Sequence, residues 1–135
     1  MTLRTLAVAI LTACSLPTQA SYLLLDSNVE KGVDTYVNSY RLHGNQGLVR
    51  FWIQLNYATV QQDYEGRNYR STMQVLEVAC LQNTFRPIQV TNFEKPYEEG
   101  AKVSAKNFET VREWYVAVPN TLSDLVVTYG CVEFP

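Results

Sequence analysis

The side chains best suited to chemistry in this 135-residue sequence are one histidine, three cysteines and a few neighbouring acids. His43 lies in His43-Gly44-Asn45-Gln46-Gly47, a stretch typical of a turn. One histidine makes no metal cluster, and no spacing puts it beside a nucleophile in a triad. Glu98 and Glu99 would point apart in an extended chain, which favours a solvated charged turn over an acid and base pair. The sequence therefore predicts a protein that is not an enzyme and holds no metal or cofactor.

Residues 1–20 have the pattern of an export signal, with Arg4 followed by the apolar run Leu6–Leu11 and a small-residue exit. The apolar run is too short to span a membrane as a helix. Cleavage after Ala20 would leave residues 21–135 as one mature domain.

The tetrapeptide Leu11-Thr12-Ala13-Cys14 supports an alternative, because it is similar to a bacterial lipoprotein box. In that case residues 1–13 are the signal and Cys14 is lipidated, which anchors the protein to a membrane. Both alternatives predict an exported protein in the periplasm, outer membrane or cell surface of a Gram-negative-type bacterium.

Loss of the signal leaves two cysteines, Cys80 and Cys131, 51 positions apart. In an oxidising compartment they most simply form one disulfide, since a metal or redox site needs more ligands than these two. Loss of Arg4 also changes the formal net charge from −2 to −3. A negative domain does not favour nucleic acid or an anionic membrane as its partner.

The clearest strand is Leu48–Tyr57, in which apolar and polar side chains alternate without a break. This pattern indicates an antiparallel sheet with one covered face. Tyr69–Cys80 is the next strand, and it places Cys80 on the same face as Leu76 and Val78. Its predicted partner is Thr84–Phe93, where a proline at position 87 requires a sheet edge or a bulge.

The other predicted elements are less regular. They comprise a strand Tyr22–Leu25, two short strands within Val33–Leu42, a polar loop Ala58–Asn68, a turn Tyr97–Gly100, a segment Val103–Val111 that fits strand or helix, and a strand Trp114–Val118.

A short C-terminal helix is predicted after Pro119, with Asn120 or Thr121 as its cap and Asp124 in its first turn. Gly130 fits the end of the helix. The predicted apolar stripe consists of Leu122, Leu125, Val126 and Tyr129.

Trp52 interrupts the polar face of its strand and has two interpretations. The strand is covered on both sides there, for example by the C-terminal helix, or Trp52 is an exposed anchor for a partner or a homodimer. In the second case Arg50 and Gln54 would share the patch.

Several of these features together resemble the bacterial surface-adhesin E family. They are Tyr69, Ser71 and Cys80 in one strand, then Trp114 and Pro119, then a capped helix that ends in Cys131. The resemblance also takes in Tyr36–Tyr40 and the strand Leu48–Tyr57. It implies an α+β fold in which a single antiparallel sheet of about six strands carries the C-terminal helix on one face, held by the disulfide.

The resemblance further implies an outer-membrane lipoprotein that binds host matrix proteins such as vitronectin and laminin through a basic stretch before the cysteine-ending strand. Arg67 and Arg70 correspond to that stretch, although Gly66 and Asn68 lie among them and Asp63-Tyr64-Glu65 lies beside them. The predicted function is an exported binding domain of the cell envelope that acts as an adhesin. The alternative is a periplasmic structural or stress-related protein with envelope partners only.

Overall fold

The computed structural model describes residues 21–108 and 113–132. Within these ranges the chain forms one seven-stranded sheet and one α-helix. The strands are β1 (Tyr22–Asn28), β2 (Val33–His43), β3 (Leu48–Gln62), β4 (Asn68–Ala79), β5 (Thr84–Phe93), β6 (Lys102–Asn107) and β7 (Tyr115–Val116). The helix is α1 (Leu122–Cys131), and a short 3-10 turn spans Pro96–Glu98.

Strands β1 to β6 follow one another across the sheet in chain order, and β7 adds to the free half of β5. Every pair is antiparallel. The predicted α+β architecture, with one antiparallel sheet and a C-terminal helix, is therefore confirmed. Short connections between neighbours suit this order, because antiparallel strands need only a turn to join them.

The hydrophobic core lies between α1 and one face of the sheet, which we call the helix side. Alternation in β3 sends Val49, Phe51 and Ile53 to this side, and Leu76 and Val78 of β4 lie beside them. Phe51, Val49 and Val78 are fully buried. The predicted covered face of both strands is thus confirmed.

Helix α1 packs on this face with Val126, Val127 and Gly130 buried. The predicted stripe was wrong in part, because Leu125 is 45% exposed and Val127 takes its place. Gly130 was also misassigned as a stop, since the helix continues to Cys131. A Cβ on Gly130 would lie 2.7 Å from Cε1 of Phe51, so the glycine lets the helix approach the sheet.

The first turn of α1 begins at Thr121, as predicted, but without the expected side-chain cap to a helix amide. The Thr121 hydroxyl instead donates to the Val118 carbonyl at 2.6 Å. Asp124 accepts a hydrogen bond from the Asn120 amide at 3.1 Å and so closes the turn before the helix.

Contacts to β2 and β4 fix the C-terminal end of α1. Arg41 donates to the Tyr129 carbonyl at 2.8 Å, a favourable place for a cation at a helix C-terminus. The Tyr129 hydroxyl donates to the Asn38 carbonyl at 2.9 Å. Cys80 and Cys131 form the predicted disulfide, with their Cα atoms 5.7 Å apart. Closing a loop of this length stabilises the fold by about 4 kcal/mol in the chain-entropy model.

The opposite face, which we call the far side, is covered in part by the turn Pro96–Glu98. The Tyr97 amide donates to Oδ1 of buried Asn56 at 2.6 Å, and the Glu98 amide donates to Oγ of buried Ser71 at 3.0 Å. Tyr97 and Glu98 have φ near 60°, a left-handed conformation that these hydrogen bonds hold in place. Polar residues on the far side are therefore buried, although the sequence predicted that this face is exposed to solvent.

Several strand boundaries in the structure differ from the predicted ones. Strand β2 is continuous with a bulge between Val37 and Arg41, rather than two short strands, and β3 extends into the predicted loop as far as Gln62. Segment 102–107 is a strand, and the remainder of Val103–Val111 lies partly outside the described residues. The last strand is only Tyr115–Val116.

Pro87 lies at a bulge, which is one of the two alternatives predicted for it; β5 is not an edge strand, because β6 and β7 pair with its other side. The register of β4 and β5 shifts beside it, where Leu76 pairs with Pro87 and Val75 with Gln89. On its other side it falls between the residues of β5 that pair with β7 and those that pair with β6. The missing amide therefore leaves no gap in either ladder.

Candidate functional site

Arg67 lies at the β3–β4 hairpin tip, residues 63–67, and is tied to the acids of that tip. Its guanidinium is 2.8 Å from Asp63 Oδ2 and 3.3 Å from Glu65 Oε2. Partial burial of Asp63 raises its pKa, but hydrogen bonds from Arg67 and from the Glu65 amide outweigh this, and the net pKa is lowered. The tip is thus held together by its own charges, with Tyr64 84% exposed at its end.

Arg70, three residues after Arg67, contacts the backbone of the neighbouring strand. Its Nε and Nη2 donate to the carbonyls of Tyr57 and Ala58, each at 3.1 Å. The register of β3 and β4 shifts between Asn56 and Gln61, so these carbonyls lie where the ladder is interrupted. Arg70 therefore closes the bulge at the base of the hairpin, and its guanidinium is turned toward the backbone.

Arg50 lies on the far side, where it pairs with Glu77 of β4. Glu77 is only 3% exposed, and its carboxylate receives Arg50 Nε at 2.7 Å and Arg86 Nη2 at 2.7 Å. Burial raises the pKa of Glu77, but the two arginines outweigh it and lower the net pKa. Arg86 also stacks over Trp114 at 4.4 Å from the ring centroid.

Trp52 is half-buried on the same far side, next to Tyr40, with their ring centroids 6.2 Å apart. Helix α1 lies on the other face, so it does not cover Trp52. Tyr40 is 60% exposed and Leu42, also on β2, is 44% exposed. Arg50 and Trp52 therefore share one patch, about 20 Å along β3 from the bulge that Arg70 closes and about 35 Å from the tip.

His43 ends β2 and borders a shallow depression together with Leu48, Arg50 and Glu77. Among residues 21–108 and 113–132, no three His, Cys, Asp or Glu side chains are grouped as a metal site. In the same ranges no helix has the length and apolar character to cross a membrane. The predicted signal and Cys14 lie outside the described residues.

A cleft of about 220 Å³ opens on the helix side beyond the end of α1, beneath the hairpin tip. A row of polar side chains crosses its floor from β3 to β6. Tyr57 is hydrogen-bonded to Thr72, the Thr72 hydroxyl donates to Asn92 Oδ1 at 2.8 Å, and Asn92 Nδ2 donates to Ser104 Oγ at 3.0 Å. Because each hydrogen bond joins neighbouring strands, the row is held rigid by the sheet.

Aromatic rings form the walls of this cleft. Tyr57 and Tyr69 meet edge to face with centroids 5.8 Å apart, and Phe108 closes the β6 end. Tyr64 reaches across from the tip until Lys106 Nζ lies 3.7 Å from its ring centroid. Burial raises the pKa of both Tyr57 and Tyr69.

Sequence reasoning missed two of these features. Sequence reasoning gave Glu77 no role, although the register of β3 and β4 pairs it with Arg50. The polar row was missed as well. The sequence signal for this row is a change along one face of β4, where the apolar Leu76 and Val78 are preceded by the polar Thr72 and Gln74.

Comparison with solved structures finds the same fold in Haemophilus influenzae protein E. One structure of that protein has a TM-score of 0.64 at 18% identity, covering 84% of this chain and 86% of the other. A second crystal form gives 0.61 at 18% identity, covering 84% and 97%. These identities support a shared fold only. No curated protein matches the chain at a significant level of sequence similarity.

The family model described as Surface-adhesin protein E matches residues 22–132. The match takes in the whole sheet, the disulfide and α1. By this match across nearly all of the described structure, the chain belongs to the surface-adhesin protein E family.

Proposed function

We propose that this protein is an exported, non-enzymatic adhesin that binds host extracellular-matrix proteins through its hairpin tip. The observation that carries the proposal is the family match over residues 22–132. Cleavage after Ala20 releases the domain of residues 21–135 in this proposal, and Cys14 lipidation is the alternative. The ligands expected from the family resemblance are vitronectin and laminin.

The direction of the strands supports the tip as the contact. Tyr22 pairs with Asn38, and the neighbouring Val37 pairs with Ile53, so β1 begins level with the middle of β3. Strand β1 runs toward the tip from there. Ile53 lies nine residues before the end of β3, which corresponds to about 30 Å. A protein held from its N-terminal side presents the tip outward.

The side chains of the tip also support the tip as the contact with the ligand. Tyr64 is the most exposed aromatic side chain among the described residues, and aromatic rings are frequent anchors in protein interfaces. The Arg67 side chain is 45% exposed and is held by Asp63, so it reaches a partner in a fixed position. Arg70 supports the base of the hairpin instead of contacting the ligand.

The patch of Arg50 and Trp52 is proposed as a second contact, for an envelope protein or a second copy of this chain. Its support is the exposed Tyr40 and Leu42 beside Trp52, which enlarge the apolar surface. This patch is on the far side, so its occupant does not compete with a ligand at the tip.

The test is binding of the purified protein to immobilised vitronectin and laminin by biolayer interferometry. The double variant Tyr64→Ala, Arg67→Ala is expected to weaken binding at least about fivefold, because truncated interface anchors typically cost 1 kcal/mol or more. Lys31→Ala, an exposed cation in the β1–β2 turn, is the charge-matched control and keeps full binding. No binding at micromolar concentration removes the adhesive function, and unchanged binding of the double variant removes the tip as its site.

A further inference from the structure

The polar cleft beneath the hairpin tip is unusual for the helix side of this sheet. Elsewhere on this face β3 and β4 place Phe51, Leu76 and Val78 in the core. Toward the tip, β4 changes to the amide of Gln74 and the hydroxyl of Thr72, and the polar row continues through Asn92 of β5 and Ser104 of β6. A polar row of this kind adds nothing to the core, so its role is to be sought at the surface.

The floor has the donors and acceptors that a hydroxylated ligand needs. Amide side chains donate and accept at once, as hydroxyls do, and Gln74, Asn92 and Ser104 all line the cleft. The hydrogen bonds from Thr72 to Asn92 and from Asn92 to Ser104 fix the latter two side chains before a ligand arrives. Such preorganisation lowers the entropy lost on binding.

The walls favour a ring that is apolar on its faces. Aromatic rings have negative faces that attract weakly positive C–H groups. Tyr57 and Tyr69 are held against each other, which fixes the direction of both rings. A volume of about 220 Å³ is below the roughly 300–1,000 Å³ of drug-sized pockets and suits a single ring.

The charged side chains around the cleft already contact other side chains. Arg67 pairs with Asp63 and Glu65, and Lys106 lies over the ring of Tyr64. A charged ligand would have to break these contacts, whereas a neutral ligand leaves them in place. We infer that the cleft binds one ring of a neutral saccharide, with Gln74, Asn92 and Ser104 holding its hydroxyls and Tyr57 and Tyr69 its C–H faces.

Nuclear magnetic resonance of the ¹⁵N-labelled protein, with its disulfide intact, tests this directly through the side-chain amide signals of Gln74 and Asn92. The probes are methyl β-galactoside and methyl β-N-acetylglucosaminide, with glucuronate as the charged comparison. A saturable shift of these signals at millimolar concentration of a neutral probe is expected. No shift with either neutral probe, or stronger binding of glucuronate, would overturn the inference.

Variants test whether the saccharide binds in the cleft or elsewhere on the surface. Gln74→Leu keeps the size of the side chain and is expected to weaken saccharide binding about tenfold, since it removes hydrogen bonds to the ligand. Gln89→Leu, on the other face of β5, is the matched control and keeps full affinity. Ser104→Ala gives a second variant that leaves the core untouched. Equal affinity in all three variants would contradict the site.

This inference goes beyond adhesion to matrix proteins and does not depend on it. Free saccharides are used without any protein ligand, so each experiment can fail while the other succeeds. Loss of matrix binding in the tip variant with normal saccharide shifts would remove neither proposal.

Discussion

At the scale of single residues, the most demanding group in this protein is the carboxylate of Glu77. It is buried in the central pair of strands, yet it keeps its charge because two guanidinium groups donate to its two oxygens. Arg50 comes from β3 and Arg86 from β5, so one acid joins three strands on the far side. Removing the acid leaves both cations without that partner, which costs more than the pair contributes in net stability.

We expect Glu77→Gln to lower the free energy of unfolding by about 2–3 kcal/mol at pH 7, because the change retains the shape but removes the charge. The effect depends on pH. The folded pKa of Glu77 lies below its usual value of 4.5, so its stabilisation is present above that pH and is lost as pH falls through the folded pKa. Urea denaturation of both proteins at pH 7, 5 and 3 measures the difference.

The control is Glu65→Gln, whose side chain is 71% exposed at the tip and is expected to change stability by less than about 0.5 kcal/mol. A loss in Glu77→Gln that is the same at all three pH values would show that its charge is not the cause.

At the scale of elements, the packing of α1 on the sheet depends on a glycine, which has no side chain. Gly130 brings the helix backbone against the edge of Phe51, and Tyr129 meets the same ring edge to face with centroids 5.6 Å apart. Glycine lowers helix propensity by about 1 kcal/mol relative to alanine, so its presence inside a ten-residue helix needs a packing reason. The contact with Phe51 is that reason.

Gly130→Ala is expected to destabilise the protein by about 1–2 kcal/mol, because the clash with a fully buried ring outweighs the gain in propensity. Thr128→Ala, exposed on the same helix, serves as the control and should be neutral or slightly stabilising. Adding Phe51→Leu to Gly130→Ala should recover part of the loss in a double-mutant cycle measured by thermal unfolding. Additive losses would mean that the two positions do not touch.

The rotation of α1 could not be predicted from its hydrophobic pattern alone. Leu125 and Val127 are both apolar and lie on different sides of the helix, so the pattern permits two faces. Cys131 contained the deciding signal, because the residue four positions earlier, Val127, shares its face and the disulfide directs that face to the sheet. Strand β3 was simpler, since strict alternation permits only one covered face.

The functional site was less predictable than the fold. The family resemblance implied that Arg67 and Arg70 act together. In the structure Arg70 instead contacts the backbone at the bulge between Asn56 and Gln61, and Arg67 lies at the tip. The cleft depends on residues from four strands that only the full register brings into one row. Such a row has no local period, so no window of the sequence displays it.

At the scale of the whole molecule, β1 begins level with the middle of β3 and runs toward the hairpin tip. This arrangement connects the proposed processing to the proposed function, because the first described residues lie away from the tip. An exported form that begins at Ser21 and a form anchored at Cys14 therefore expose the same tip.

N-terminal sequencing of the exported protein is expected to begin at Ser21, because the small residues before it suit cleavage after Ala20. Metabolic labelling with a palmitate analogue should then give no signal in the natural protein. A label that disappears in Cys14→Ser would show the lipidated form instead. Cys80 is the comparison, since its disulfide excludes it from acylation.

The helix side of the sheet is divided between a core under α1 and a polar cleft beyond it, and this division has an evolutionary consequence. Substitutions under α1 are constrained by close packing around Phe51, whereas those at Gln74, Asn92 or Ser104 leave that packing intact. Lineages that share this scaffold can therefore change what the cleft recognises without losing the fold. We expect diversification, including any driven by host immunity, to concentrate in the cleft and the tip above it.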